Sequence, residues 1–326
     1  MPDPCPRQIA LPGGGAHREH RHMRGAVRIR WQDLPDAVRA AIEAHLGAPV
    51  ILAVNQPGGM SSGLAARVRC EGGRRAFVKA AAVSVNAGTV RLHRHEARTA
   101  AALPDGVPVP RLRHVYDDGD WVALIFDEFD GAMPEVPWRP DQLQTVLAAV
   151  ADMSARLTPC PVPDVPELAD HIRADMLAYS RLAADPPEDL DDWERRHLDR
   201  LAEHAASALG QLVGDTLVHL DIRSDNILIA ADGSVAVVDW AWASRGPRWV
   251  DCAMLVLEAQ WAGVDVGTVH WPEPDPDVLT AFVAGLAGMW ATSMRRRAPA
   301  DMPTIRAVQR AQHDVALSWV HEHTGW

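Results

Sequence analysis

A chain of 326 residues, 48% hydrophobic and 23% charged, has the make-up of a globular protein long enough for two lobes with sizeable cores. Its formal net charge of -11 argues against nucleic acid as a partner, because that binding draws on Lys and Arg set against phosphate. No apolar run reaches the roughly 18 residues of a membrane span and no apolar signal core opens the chain, so no membrane partner is expected and the cytoplasm is the expected compartment.

Residues 1–23, rich in Pro, Gly, His and Arg without apolar periodicity, read as a disordered tail, with Met23 an alternative start to the patterned chain. The four cysteines, Cys5, Cys70, Cys160 and Cys252, are too far apart to suggest a zinc site or a disulfide framework. The segment LPDAVRAAIEAHLG has apolar residues at helical spacing, Asp33 and Pro35 as start signals and Gly47 as a stop. Strand-like runs follow around residues 50–54, 65–70 and 75–79, separated by PGGMSSG and EGGR, which predicts a small antiparallel sheet. A helix over about 88–103 and strands near Val115 and over 121–126 complete this part. Beyond Pro140 the pattern is mostly helical, except for the pairs ILIA and VAVVDW around a turn at Asp232 and Gly233. The reading is an α+β chain, with a smaller lobe over 24–129 and a mostly helical one over 130–326.

The chemistry concentrates in LVHLDIRSDNILIAADGSVAVVDW, where His219, Asp221, Asn226 and Asp239 form HxDxxxxN followed by a hairpin and a strand-end Asp. Phosphoryl transfer needs a carboxylate that accepts or orients the proton of the attacking hydroxyl, a role that fits Asp221. It also needs hard oxygen ligands that hold Mg²⁺ against the phosphates, which Asn226 and Asp239 supply once the hairpin sets them side by side. Ordinary turn carboxylates are the plainer alternative, and a second set upstream weighs against it. Gly58, Gly59, Ser61, Ser62 and Gly63 between two strands suit a phosphate-cradling loop. Lys79 on the next strand and Glu96 on the following helix suit a pair that fixes an ammonium on the α- and β-phosphates of ATP, although solvated surface charges are the alternative there.

This order of Gly loop, strand Lys, helix Glu, HxDxxxxN and strand-end Asp, running from about Val50 to Leu255, resembles the aminoglycoside phosphotransferase and choline kinase branch of the protein-kinase-like superfamily. Asp239-Trp240 is similar to that branch's metal Asp, and Asp251 to its prop for the catalytic loop. The resemblance implies a two-lobed protein-kinase-like fold, with ATP and Mg²⁺ as cofactors, the 24–129 lobe binding nucleotide and adenine lying near Asp127–Phe129. It implies Asp221 and His219 as catalytic, Lys79, Glu96, Gly59, Ser61 and Ser62 as nucleotide-binding, and Asn226 and Asp239 as metal ligands. Leu220 departs from the pattern, standing where the branch commonly has Gly.

The partner expected is a small-molecule acceptor, with an aminoglycoside or related antibiotic first and an amino alcohol, sugar or biosynthetic intermediate as alternatives. The acidic balance and the loop with Asp265, Glu273, Asp275 and Asp277 suit a cationic acceptor, with a solvated loop the plainer alternative, and Trp261, Trp271, Trp290, Trp319 and Trp326 are candidate pocket walls, with ordinary core residues the alternative. A non-catalytic nucleotide-binding scaffold is the rival from another class. It has to account for Lys79, Asp221, Asn226 and Asp239 all being chemically competent.

Overall fold

The computed structural model describes residues 28–57, 59, 62–300 and 302–326. The expected tail over 1–23, with Cys5, and the candidate residues Gly58 and Ser61 lie outside them. Helix α1 (Asp36–Leu46) buries Val38, Ile42 and Leu46, a stripe at four-residue spacing, and ends on Gly47. Then come β1 (Val50–Asn55), β2 (Leu64–Cys70), β3 (Arg75–Ala82), α2 (Val83–Ala102), β4 (Leu112–Asp117) and β5 (Trp121–Phe126). The strands form one antiparallel sheet in the order β1-β2-β3-β5-β4.

The two faces of that sheet have different neighbours because strand side chains alternate. Val78, Ala80 and Ile125 pack with the α1 stripe, whereas Ala81, Val122, Leu124 and Phe126 pack with Val90 and Ala97 of α2. Lys79 therefore falls on the α2 side. Gly63 closes the loop between β1 and β2 at φ +123°, and a Cβ there would sit 2.4 Å from the Ala80 carbonyl oxygen, so only glycine lets the loop lie down on β3.

After β6 (Gly131–Ala132) the chain is mainly helical: α3 (Pro140–Arg156), α4 (Leu168–His171), α5 (Arg173–Met176), α6 (Ala178–Ala184), α7 (Asp192–Arg196) and α8 (Leu198–Ser207). Four short strands follow, β7 (Thr216–Val218), β8 (Ile227–Ala230), β9 (Val235–Val237) and β10 (Ser244–Gly246). They form a β6-β8-β9 sheet and a β7-β10 pair. Helices α9 (Val250–Trp261), α10 (Pro276–Ser293) and α11 (Ile305–Thr324) complete the chain.

Helix α10 is apolar nearly all round and is correspondingly buried, with Phe282 edge-on to Trp249 at 5.3 Å. At Gly288 an added Cβ would come 2.8 Å from the Tyr179 ring, so the missing side chain is what lets α6 approach. The Tyr179 hydroxyl donates to buried Glu194 (2.8 Å), which His313 of α11 also reaches at 3.1 Å. Burial alone would lower the His313 pKa, but Asp314 and Glu194 outweigh it and raise it to about 9. Among the described residues, no helix is long and apolar enough to cross a membrane.

The sequence misses the β6, β7 and β10 strands, because two- and three-residue strands are too short for an alternating pattern to register.

Candidate active site

Three charged side chains meet between sheet and helices. Lys79 Nζ donates to Glu96 Oε1 and Oε2 (2.7 and 2.8 Å) and to Asp239 Oδ1 (2.9 Å). Glu96 is 2% exposed, so the solvated-charge alternative for this pair does not hold. One ammonium is shared by two carboxylates, Glu96 buried and Asp239 partly open to the cleft. Burial pushes Glu96 up to about 7 despite Lys79 beside it. For Asp239, Lys79 outweighs burial and holds the carboxyl down at about 2. Lys79 stays protonated, since Asp239 and Glu96 overcome the opposing effect of burial.

His93, one helical turn before Glu96, faces the same cavity. Burial, reinforced by the charge of Lys79, lowers its pKa to about 3, so the ring is neutral, and its buried Nε2 has no hydrogen-bond partner.

The β8-β9 hairpin supplies the adjacency that the motif requires. Asp232 accepts from Ser234 N at the turn, Ile227 pairs with Val237, and Val238 N donates to the Asn226 carbonyl at 2.9 Å. Asn226 at the hairpin's entry and Asp239 at its exit are thereby neighbours. Asn226 Nδ2 donates to the backbone oxygen of Asp221 (2.8 Å) and to its Oδ2 (3.2 Å), which orients Oδ1 of Asn226 as the remaining acceptor. Asn226 and Asp239 thus offer hard oxygen donors of the kind Mg²⁺ takes, with other positions left to phosphate and water. Lys79 adds the ammonium that phosphates require, so the residues present fit Mg-ATP.

The loop carrying Asp221 is held from beneath by Asp251, fully buried on the first turn of α9. Its Oδ2 accepts His219 N at 2.8 Å and its Oδ1 accepts Leu220 N at 2.9 Å. Leu220 has φ 65° and Asp239 has φ 72°, the left-handed region that L-residues seldom occupy. The expected contact of Asp251 with this loop is present.

His219 has both ring nitrogens on the backbone. Nε2 donates to the Val238 carbonyl at 2.9 Å and Nδ1 accepts Asp221 N at 3.2 Å. It is fully buried, with its pKa lowered by burial, and stands edge-on to Trp240 at 4.8 Å. That geometry corrects the expectation of a catalytic His219: the ring fixes the loop and has no nitrogen left for a substrate.

Asp221 Oδ1 accepts from Arg223 Nη1 at 2.6 Å, and Arg223 Nε donates to Asp225 Oδ1 at 2.9 Å. Burial raises Asp221 to about 6, with Arg223 opposing and the Asp239 and Asp225 carboxylates adding. Gly59 N donates to Asp225 Oδ2 at 3.2 Å, which latches the glycine loop to the catalytic loop. Ser224 Oγ bonds Glu258 Oε1 at 2.6 Å, and Glu258 Oε2 accepts Trp138 Nε1 at 2.9 Å. Arg223, Asp225 and Glu258 are functional neighbours that the sequence reading missed. Alternating charge within DIRSD was a visible signal for the first two.

Above these groups opens a cleft of about 1030 Å³. Ala65 and Phe77 from the sheet face Leu228 and Val237 from the hairpin, and Asp127–Phe129 lie at the back. Gly59, Lys79, Glu96, Asn226 and Asp239 all line it. Ser62 does not. Its hydroxyl is buried against Thr89 Oγ1 at 3.2 Å, so its side chain ties the loop to α2 instead of facing a phosphate, a correction to the sequence expectation.

A second cavity is lined by Asp221, which is absent from the lining of the first. Trp261 and Trp290 line it, as does Trp242, which the sequence reading did not single out. Trp271 and Trp319 pack against the core instead, and Trp326 stacks with Trp193. The acidic loop is absent from this lining: Asp265 and Asp275 cap helical turns and Asp277 borders a separate depression with His204.

Residues 57–297 match the profile of the phosphotransferase enzyme family. The chain belongs to that family. Among solved structures, the choline kinase LicA from Streptococcus pneumoniae superposes with a TM-score of 0.59 at 13% identity, covering 88% of this chain and 98% of that one. A thermostable variant of the aminoglycoside phosphotransferase APH(4)-Ia, in ternary complex with AMP-PNP and hygromycin B, gives a TM-score of 0.56 at 15% identity, covering 87% and 99%. Spectinomycin phosphotransferase APH(9)-Ia, with ADP and spectinomycin, gives 0.52 at 12% identity, covering 90% and 100%. These likenesses establish the kinase-like two-part fold. The serine/threonine-protein kinase PAK 1 of Mus musculus is 33% identical over 75 residues, a stretch that spans 23% of this chain and only 12% of the mouse kinase.

Proposed function

We propose that this protein transfers the γ-phosphoryl group of Mg-ATP to a hydroxyl of a small molecule. One observation carries the proposal: residues as far apart in sequence as Lys79, Glu96, Asp221, Asn226 and Asp239 converge, with Lys79 Nζ within hydrogen-bond distance of both Glu96 and Asp239. The family match and neighbours solved with ADP or AMP-PNP support nucleotide binding. In this reading residues 24–129 form the nucleotide lobe and 130–326 the lobe that holds the catalytic loop and acceptor.

Asp221 is the residue that receives the acceptor. Arg223 and Asn226 pin its two carboxylate oxygens, so it meets an incoming hydroxyl in a fixed orientation and takes or directs the proton. Lys79, positioned by Glu96, binds phosphate oxygens, and Asn226 and Asp239 hold the metal. Magnesium, when bound, neutralises charge that builds on the transferred group. His219 and Asp251 act on the backbone of the loop and through it on Asp221. The nucleotide-only scaffold has no use for an Asp221 fixed in this way at the mouth of a second cavity.

The acceptor first expected from the sequence, an aminoglycoside or related antibiotic, is supported by the hygromycin B and spectinomycin bound to the fold neighbours. The cavity beside Asp221 favours other chemistry, argued below. The test is product analysis by mass after incubation with Mg-ATP and a panel of antibiotics, amino alcohols, sugars and apolar alcohols. A product carrying one added phosphoryl group is expected. ATP binding with no phosphorylated product from any hydroxyl compound would move the scaffold reading to the front.

A further inference from the structure

We infer that the acceptor cavity selects a predominantly apolar alcohol and rejects polycationic sugars, an inference that rests on the kinase reading above for the reaction itself. The walls are Trp242, Met254, Trp261, Met289, Trp290 and Leu220. Trp242 is an otherwise unexplained exposed aromatic, 43% accessible at the cavity's edge. His171 stacks on it at 5.8 Å and is itself anchored through Nδ1 to Ser244 Oγ at 2.6 Å, so the indole is braced and not adrift. Trp242, held open at the edge of a concave site whose wall also includes the buried Trp261 and Trp290, marks a surface that binds something apolar.

The charges in this cavity leave little for a polycation. Its lining includes Asp175, Asp221 and Glu258 as the carboxylates. Glu258 is engaged by Ser224 and Trp138, and Asp221 by Arg223 and Asn226. Burial raises the Asp175 pKa more than the charges of Arg181 and Arg296 lower it, which biases this carboxyl toward its neutral form. A ligand with several ammonium groups would bury them here without partners, which is costly. The carboxylates of the acidic loop that suggested a cationic acceptor line other parts of the surface.

Leu220 sharpens the point. It sits directly before Asp221 at φ 65°, where glycine is the unstrained residue, and its side chain lines this cavity. An isobutyl group held in an unfavourable backbone conformation beside the catalytic carboxylate narrows and dries the place where the hydroxyl must enter. Leu220 is thus a specificity-determining residue.

The test separates binding from turnover. Tryptophan fluorescence of the full chain is titrated with geraniol and cyclohexylmethanol, and in parallel with choline, glucose and kanamycin. Phosphoryl transfer from γ-labelled ATP to each is measured beside it. Geraniol and cyclohexylmethanol are expected to quench saturably and to bind at least tenfold more tightly than kanamycin or glucose. Leu220→Gly and Trp242→Ala are each expected to weaken apolar binding several-fold, and nucleotide affinity is expected to stay unchanged in both. Trp242→Ala keeps the test decisive should the loop variant fold poorly, because that side chain is largely at the surface. Tighter binding of kanamycin, glucose or choline than of both apolar alcohols, or no saturable quenching by either, overturns the inference. Apolar binding without phosphoryl transfer supports this cavity's selectivity and counts against the kinase reading alone.

Discussion

The cleft at Lys79 and the cavity at Asp221 both have largely apolar walls and differ in how their charged groups are held. On the nucleotide side, charges are locked by short contacts and by backbone: Lys79 between Glu96 and Asp239, the glycine loop on Asp225, and the catalytic loop on Asp251. In the second cavity, indoles, thioethers and aliphatic groups are interspersed with polar side chains, among them Asp175, Arg223, Gln309 and Gln312. The contrast teaches where each property of the protein resides. In the functions proposed above, reaction chemistry rests on the charged contacts around Lys79 and Asp221, and acceptor choice on the apolar part of the second cavity.

That contrast can be broken most severely on the charged side. Lys79→Met would leave Glu96 and Asp239 facing one another in a buried site. Removing one partner of a buried ion pair costs about 3–5 kcal/mol. Urea unfolding should register a loss of that size, partly recovered by adding Glu96→Gln. An unchanged midpoint would mean that the cluster is far better hydrated than its burial indicates.

Asp239→Ala comes next. Loss of an outer partner of a metal ligand already lowers metal affinity by about 10–100-fold, and loss of a ligand itself should exceed that. Magnesium titration of turnover should show it, and removal of divalent metal by EDTA should abolish turnover in the parent. Retention of the parent's magnesium dependence in Asp239→Ala would remove this residue from the metal site.

A milder break is Asp251→Asn. The carboxamide keeps one acceptor for two buried amides, those of His219 and Leu220, so an orphaned donor should cost about 1–3 kcal/mol. Turnover should fall with little change in nucleotide affinity, because only the loop bearing Asp221 is disturbed. Loss of nucleotide binding of the same size would show that Asp251 holds more than that loop.

One effect lies away from both cavities and leaves turnover aside, at His313. Its folded-state pKa of about 9 exceeds the ordinary value of 6.5, so protonation is favoured by folding. The stability this supplies is fully present below about pH 6.5 and is lost as pH rises through about 9. Chemical denaturation across pH 6–10 should show this decline in the parent and a flatter profile in His313→Gln. A parallel decline in both would assign it elsewhere.

The same contrast explains how much was legible beforehand. The alternation of Val78, Lys79, Ala80 and Ala81 sets which side of β3 meets α2, and the spacing from Asn226 through Asp232 and Gly233 to Asp239 spells out a hairpin, so the convergence of Lys79, Asn226 and Asp239 was legible in sequence. Ser62 was misjudged because a Gly/Ser turn reads alike whether its hydroxyl meets phosphate or Thr89. His219 was misjudged because residue type does not reveal that both ring nitrogens are taken by backbone. The acceptor cavity was largely illegible. Its walls come from residues as distant as Leu220, Trp242, Trp261, Trp290 and Ile305, brought together by helix packing, and nothing in the sequence separates Trp290, which lines the cavity, from Trp319, which packs elsewhere against the core.

The most direct test of the central claim compares parent and Asp221→Asn for transfer of label from γ-labelled ATP to an accepted alcohol, with nucleotide affinity measured on both. The account predicts that affinity is kept within a few-fold while transfer falls by about 10²–10⁴-fold, the range contributed by a positioned proton acceptor. Equal transfer by the two proteins would contradict it and remove Asp221 from the reaction.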